Sequence, residues 1–184
     1  MAKLKDVADF FIALAQDMAE LEMGDAMTNL RLQKMLYFAQ GWMLKRTGKP
    51  LFDENIEAWQ YGPVVPECYE WYKGCGSNPL KAEMPARDKF SPEEYALLLD
   101  VWAELSKYST SQLVSMTHEK GTPWYEVWNY TKQREIDREA IKSFFINSEL
   151  PGSKEKLAAI PTIKPLFREN GIPVFSAKEV FNNE

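Results

Sequence analysis

The sequence predicts a mostly α-helical protein: one compact single-domain helical bundle over residues 1–148, followed by a short C-terminal arm over residues 149–184. Three observations carry this expectation. Apolar residues recur at helical spacing, as in Val7, Phe10, Phe11, Leu14, Met18 and Leu21. Helix starts are spelled out as caps, most fully in Ser91-Pro92-Glu93-Glu94, which supplies an N-cap serine, a first-turn proline and a capping-box glutamate. From Glu149 onward the texture changes, with four of the eleven prolines and no sustained period.

Taken in order, the first helix carries its acids between the apolar positions and ends near Gly24. A second starts after Thr28, a suitable N-cap, and runs to about Arg46, with Gly48 placed to stop it. Leu32, Met35, Leu36, Ala39 and Met43 share one face of that helix, and Leu30, Tyr37 and Leu44 another. A helix apolar on two faces belongs at the centre of a bundle, which leaves Arg31, Lys34 and Lys45 as its polar strip. Gly62, Pro63 and Pro66 then read as a rigid turn feeding a short helix to about Lys73, with Cys68 and Tyr72 toward the core. The helix opened at Ser91 has Tyr95, Leu98, Leu99, Trp102 and Leu105 as its apolar stripe. Ser109 or Thr110 opens a shorter one through Leu113, Val114 and Met116, and Pro123 another carrying Trp124, Val127 and Trp128. Ile136 to Ile146 is the last clear helix, and the arm beyond Glu149 holds two short helical pieces at most.

Composition narrows the function classes. The 184 residues are 45% hydrophobic and 13% aromatic, with a net charge of −5. Such a field opposes nucleic acid unless a local basic patch overrides it. Asp6, Asp9, Asp17 and Glu20 interrupt the N-terminal stretch, so it lacks the apolar run of a signal peptide. No apolar run of about 20 residues is present to span a membrane. The expectation is a cytoplasmic protein whose two cysteines, Cys68 and Cys75, are reduced thiols.

Those cysteines and the single histidine, His118, cannot complete a four-ligand zinc set, and the paired spacing of structural zinc sites is missing. His118 could serve as a catalytic base, but no G-x-S-x-G elbow or comparable nucleophile pattern accompanies it. The favoured alternative is that it ends a short helix, its ring bonding free carbonyls beside Trp124. Gly74-Cys75-Gly76 lacks the lysine of a phosphate-binding loop. Glu93–Glu94 and Asp53–Glu54 sit where helix starts and solvated turns favour acids. The expectation is therefore no enzyme, no metal and no cofactor. Arg31, Lys34 and Lys45 leave a weak case for a DNA-binding repressor.

Three runs, taken in order, are more specific. They are Leu32-Gln33-Lys34 through Leu36-Tyr37-Phe38-Ala39-Gln40-Gly41, then Glu57-Ala58-Trp59 with Gly62-Pro63-Val64-Val65-Pro66, then Leu113 with Thr117-His118 and Pro123-Trp124. Together they resemble the Panacea domain of SocA-like antitoxins, also described as prophage GepA-like, over about Val7 to Asn147. The resemblance implies a small helical protein that neutralises a cognate toxin by direct protein–protein binding, or an adaptor that delivers the toxin to an ATP-dependent protease. In the adaptor reading the segment from Ile172 to Glu184 is a candidate tether. Physical reasoning supplies the expected contacts: Gln33, Lys34 and Tyr37 on the second helix, Trp59, Tyr61 and Pro63 around the turn, and His118 and Trp124. Tyrosine and tryptophan bring contact area at low entropic cost, although the same aromatics could fill the core.

Overall fold

A computed structural model describes residues 1–22 and 24–148, together with the backbone of two strands, Phe167–Glu169 and Ile172–Val174. Chain contacts divide it into two units, Met1–Lys154 and Glu155–Glu184. Among the described residues the first unit contains seven α-helices and one small hairpin. In chain order these are α1 (Leu4–Glu20), α2 (Asn29–Thr47), β1 (Glu57–Trp59), β2 (Gly62–Val64), α3 (Pro66–Tyr72), α4 (Pro92–Leu105), α5 (Thr110–His118), α6 (Pro123–Tyr130) and α7 (Arg138–Asn147). In the second unit, β3 (Phe167–Glu169) and β4 (Ile172–Val174) form an antiparallel pair. There the backbone is strand, not helix; the remainder of the expected arm lies outside the described residues.

The mostly α-helical fold class is as the sequence led us to expect, and the caps explain the boundaries. Thr28 accepts from Arg31 N at the start of α2, and Gly48 (φ 72°) closes its end. Ser91 with Glu94, and Ser109 with Gln112, form reciprocal capping boxes at α4 and α5. The start of α7 falls at Asp137, whose side chain caps Ala140 N. Ile136 instead lies ahead of the helix, its N–H donating to Ile56 O at 2.8 Å.

α2 is the axis of the bundle, in contact with α1, α3, α4, α5, α7 and β2. Every residue from Arg31 to Leu44 is buried. Helix α7 crosses it closely: a Cβ on Gly41 would enter the ring of Phe145, which also packs edge-on against Tyr37 and Phe38. The anticipated polar strip is thereby overturned for Arg31 and Lys34, which are 4% and 0% exposed; Lys45 is half-buried.

Burial without partners would be costly, because each desolvated polar group needs a hydrogen bond. Several side chains of α2 meet that need by bonding backbone groups of the segments around the helix. Gln40 donates to Phe52 O at 3.0 Å and accepts from Leu51 N at 2.7 Å. Gln33 accepts from Val65 N at 2.9 Å and donates to Asn29, which in turn donates to Tyr69 O. Arg31 donates to Leu105 O and Ser106 O, at the carboxyl end of α4. The polar face of the central helix therefore pins the irregular segments around it.

The segment over Trp59–Val64 departs from expectation. It is a hairpin, with Trp59 paired to Gly62 and Gln60–Tyr61 as the connection, rather than only a turn. Residues 134–136 lie along its other side, through Ala58 N to Arg134 O at 2.7 Å and a bridge from Glu57 to Glu135. The short helix that follows places Cys68 fully in the core and Tyr72 partly so, as read from the sequence. Burial pushes the Cys68 thiol up to about 12, which leaves it an unreactive core residue. Among the described residues no helix is long and apolar enough to cross a membrane.

Candidate functional site

The three sequence runs converge on the β1–β2 hairpin. From below, Lys34 Nζ donates to Pro63 O at 2.8 Å. From the side, Trp124 Nε1 donates to Trp59 O at 2.8 Å. His118 Nε2 lies 3.4 Å from Gln60 O. Three carbonyls of one short hairpin, those of Trp59, Gln60 and Pro63, thus face side chains of α6, α5 and α2.

Gly62 makes this approach possible. Its φ is +102°, outside the range comfortable for a side chain, and an added Cβ would stand 2.6 Å from Lys34 Nζ and 2.8 Å from Thr117 Oγ1. Lys34 carries its amine into a site with no solvent, and burial lowers its pKa to about 7. Tyr37, one turn along, has a buried hydroxyl without a hydrogen-bond partner among the described residues. Burial raises its pKa strongly.

His118 ends α5, as expected of it. Its Nδ1 lies 2.7 Å from Val114 O, and since a carbonyl only accepts, Nδ1 carries a proton and donates. Thr117 Oγ1 donates to the same carbonyl at 2.8 Å. The imidazole stands 3.7 Å from the Trp124 ring, and Trp124 stacks on Trp128 at 5.7 Å and 13°. The ring thereby sits between the end of α5 and the hairpin, packed against Trp124.

Several expected contact residues require correction. Gln33, Lys34, Tyr37, Pro63 and Trp124 are buried, so they build the platform and present no surface to a partner. The polar atoms of Gln33, Lys34 and Trp124 are turned inward to backbone groups of the hairpin and its flank. Tyr61, at the hairpin tip, is 62% exposed. Trp59 and His118 are half-buried. Trp59 donates its indole N–H to Glu57 at 2.8 Å and packs edge-on against Tyr69. Trp128, 47% exposed, extends the aromatic stack outward. It was not singled out as a contact; its i, i+4 spacing from Trp124 was the available signal.

A family model described as Antitoxin SocA-like, Panacea domain, matches residues 32–125, just over half of the chain. The chain belongs to the SocA-like Panacea-domain family. The match begins on α2 and ends on α6, so the Panacea domain encloses the convergence described above. Antitoxin SocA of Caulobacter vibrioides (strain NA1000 / CB15N) is a relative, 34% identical over a 116-residue alignment. That alignment covers 55% of this chain and 60% of the relative, so the chain spans somewhat under two thirds of that protein's length. No solved structure matches it significantly.

Proposed function

We propose that this Panacea-domain protein is an antitoxin that neutralises a cognate protein toxin by direct binding, without catalysis, through the surface around the β1–β2 hairpin. The observation that carries the reading is the convergence of three separate family-marker runs on one short hairpin whose tip, Tyr61, is exposed. Such an anchored turn presents aromatic area with little entropy left to lose, which favours binding. The printed name of the relative, Antitoxin SocA, points the same way. Against the alternative of a DNA-binding strip of Arg31, Lys34 and Lys45 stands the burial of two of its three cations, Arg31 and Lys34.

The deciding experiment is co-expression with the product of the open reading frame adjacent to its gene. The expected result is that the neighbour arrests growth alone, and that this chain restores growth and co-purifies with it in a stable complex. A harmless neighbour, or one that fails to co-purify, overturns the proposal. Toxin half-life, followed in the same cells, separates simple binding from delivery to a protease: binding alone leaves the half-life unshortened.

A further inference from the structure

On the other side of α6 from its tryptophans, a groove of about 520 Å³ runs between α6 and α7, within the size range of ligand-binding clefts. Pro123 and Val127 of α6 and Ala140 and Phe144 of α7 supply its apolar lining. Its charge is one-sided. Glu126, Glu135 and Asp137 line it, and among the described residues no lysine or arginine does.

The chain around the groove sorts its charges. In the connection from α6 to α7, Thr131, Gln133 and Glu135 line the groove while the alternating Lys132 and Arg134 do not. Two cations of α7, Arg138 and Lys142, are paired with Asp53 and Glu139 and stay out of the lining. The hydroxyl of Ser148, which also lines the groove, has no hydrogen-bond partner among the described residues. Apolar walls flanked by Glu126 and Glu135, neither of them ion-paired among the described residues, complement a segment that offers an apolar side chain and a cation together.

We propose that this groove receives a segment of the toxin bearing a lysine or arginine next to an apolar side chain, an inference that rests on the antitoxin reading. Hairpin tip and groove would then hold one partner from two sides of α6. The apolar side chain enters between Val127 and Phe144, and the cation is met by Glu126 and Glu135. Asp137 is committed to capping Ala140 N, so its carboxylate contributes field rather than a displaceable contact.

The test measures binding of the full chain to the product of the adjacent open reading frame at low and moderate salt. Comparison variants are Glu126→Lys/Glu135→Lys and the milder Glu126→Gln/Glu135→Gln, with circular dichroism to confirm folding. Wild type is expected to weaken as salt rises. Charge reversal is expected to weaken binding at least tenfold, and the glutamine variant to flatten the salt dependence even if the reversed protein folds poorly. Exchanging the toxin's cation for glutamate is expected to recover binding to the lysine variant, a rescue that a merely structural role would not give. Absence of wild-type binding would overturn the antitoxin reading itself. Wild-type binding that both variants leave unchanged would overturn the groove proposal alone. Two further outcomes would reassign the groove and also overturn it. One is self-association of the wild type that charge reversal abolishes, which marks a second copy as occupant. The other is hydrogen-exchange protection of residues 149–184 lost on charge reversal, which marks the chain's own C-terminal residues.

Discussion

Lys34 Nζ donates to Pro63 O at 2.8 Å with the lysine wholly removed from solvent, so the central helix holds the hairpin by a buried amine. This pairing gives stability a definite pH dependence. The unfolded lysine stays protonated to about 10.5, whereas in the fold burial lowers its pKa to about 7. Between those values the unfolded chain binds the extra proton, so stability rises with pH, by up to about 1.4 kcal/mol per pH unit. Below pH 7 the burial penalty is fully present and the slope from this group vanishes. Cys68 acts in the opposite sense above about 9, where the unfolded thiol ionises and the buried one does not. Urea denaturation should therefore show stability climbing from pH 7 to 9. Lys34→Met should remove most of that climb, although it leaves Pro63 O without its donor.

Gly62→Ala should cost about 2–4 kcal/mol, combining backbone strain at positive φ with crowding against Lys34 and Thr117. Chemical denaturation measures it. Tyr61→Ala, one residue away but exposed, should stay within about 0.5 kcal/mol of wild type.

The α2–α7 crossing should behave as one unit. Phe145→Ala is expected to cost about 3–5 kcal/mol through the cavity it leaves. Gly41→Ala should be severely destabilising alone, because the new methyl overlaps the Phe145 ring. In the double variant the methyl occupies vacated space, so the combined loss should fall well short of the sum. A double-mutant cycle by denaturation reads this coupling directly.

At the proposed docking face, Tyr61→Ala and Trp128→Ala should each weaken toxin binding about tenfold or more while leaving the unfolding midpoint nearly unchanged. Trp124→Phe should behave differently. It removes the N–H that holds Trp59 O, so stability should fall by about 1–3 kcal/mol along with any loss of binding. Calorimetric titration together with thermal unfolding separates the two classes.

Helix limits were legible in the sequence because their causes are local. Ser91 with Glu94, Thr28 ahead of α2 and Gly48 behind it act within a few residues of the backbone they satisfy. The hairpin was not legible, since its strands are three residues each and carry two prolines or glycines where alternation would show. Nor was the burial of Arg31 and Lys34. Their spacing from Lys45 suggests a solvated strip, yet their partners are carbonyls 74 and 29 residues away.

The sequence by itself determined the fold class, the helix caps and the family-marker runs, because periodicity and capping are short-range physics. Tertiary structure decided what those markers do. Gln33, Lys34 and Trp124 look like surface chemistry in one dimension. Packing of α2 at the centre leaves loop carbonyls and amides that cannot reach water, and these side chains are consumed in satisfying them. What remains outside is the hairpin tip that they hold in place.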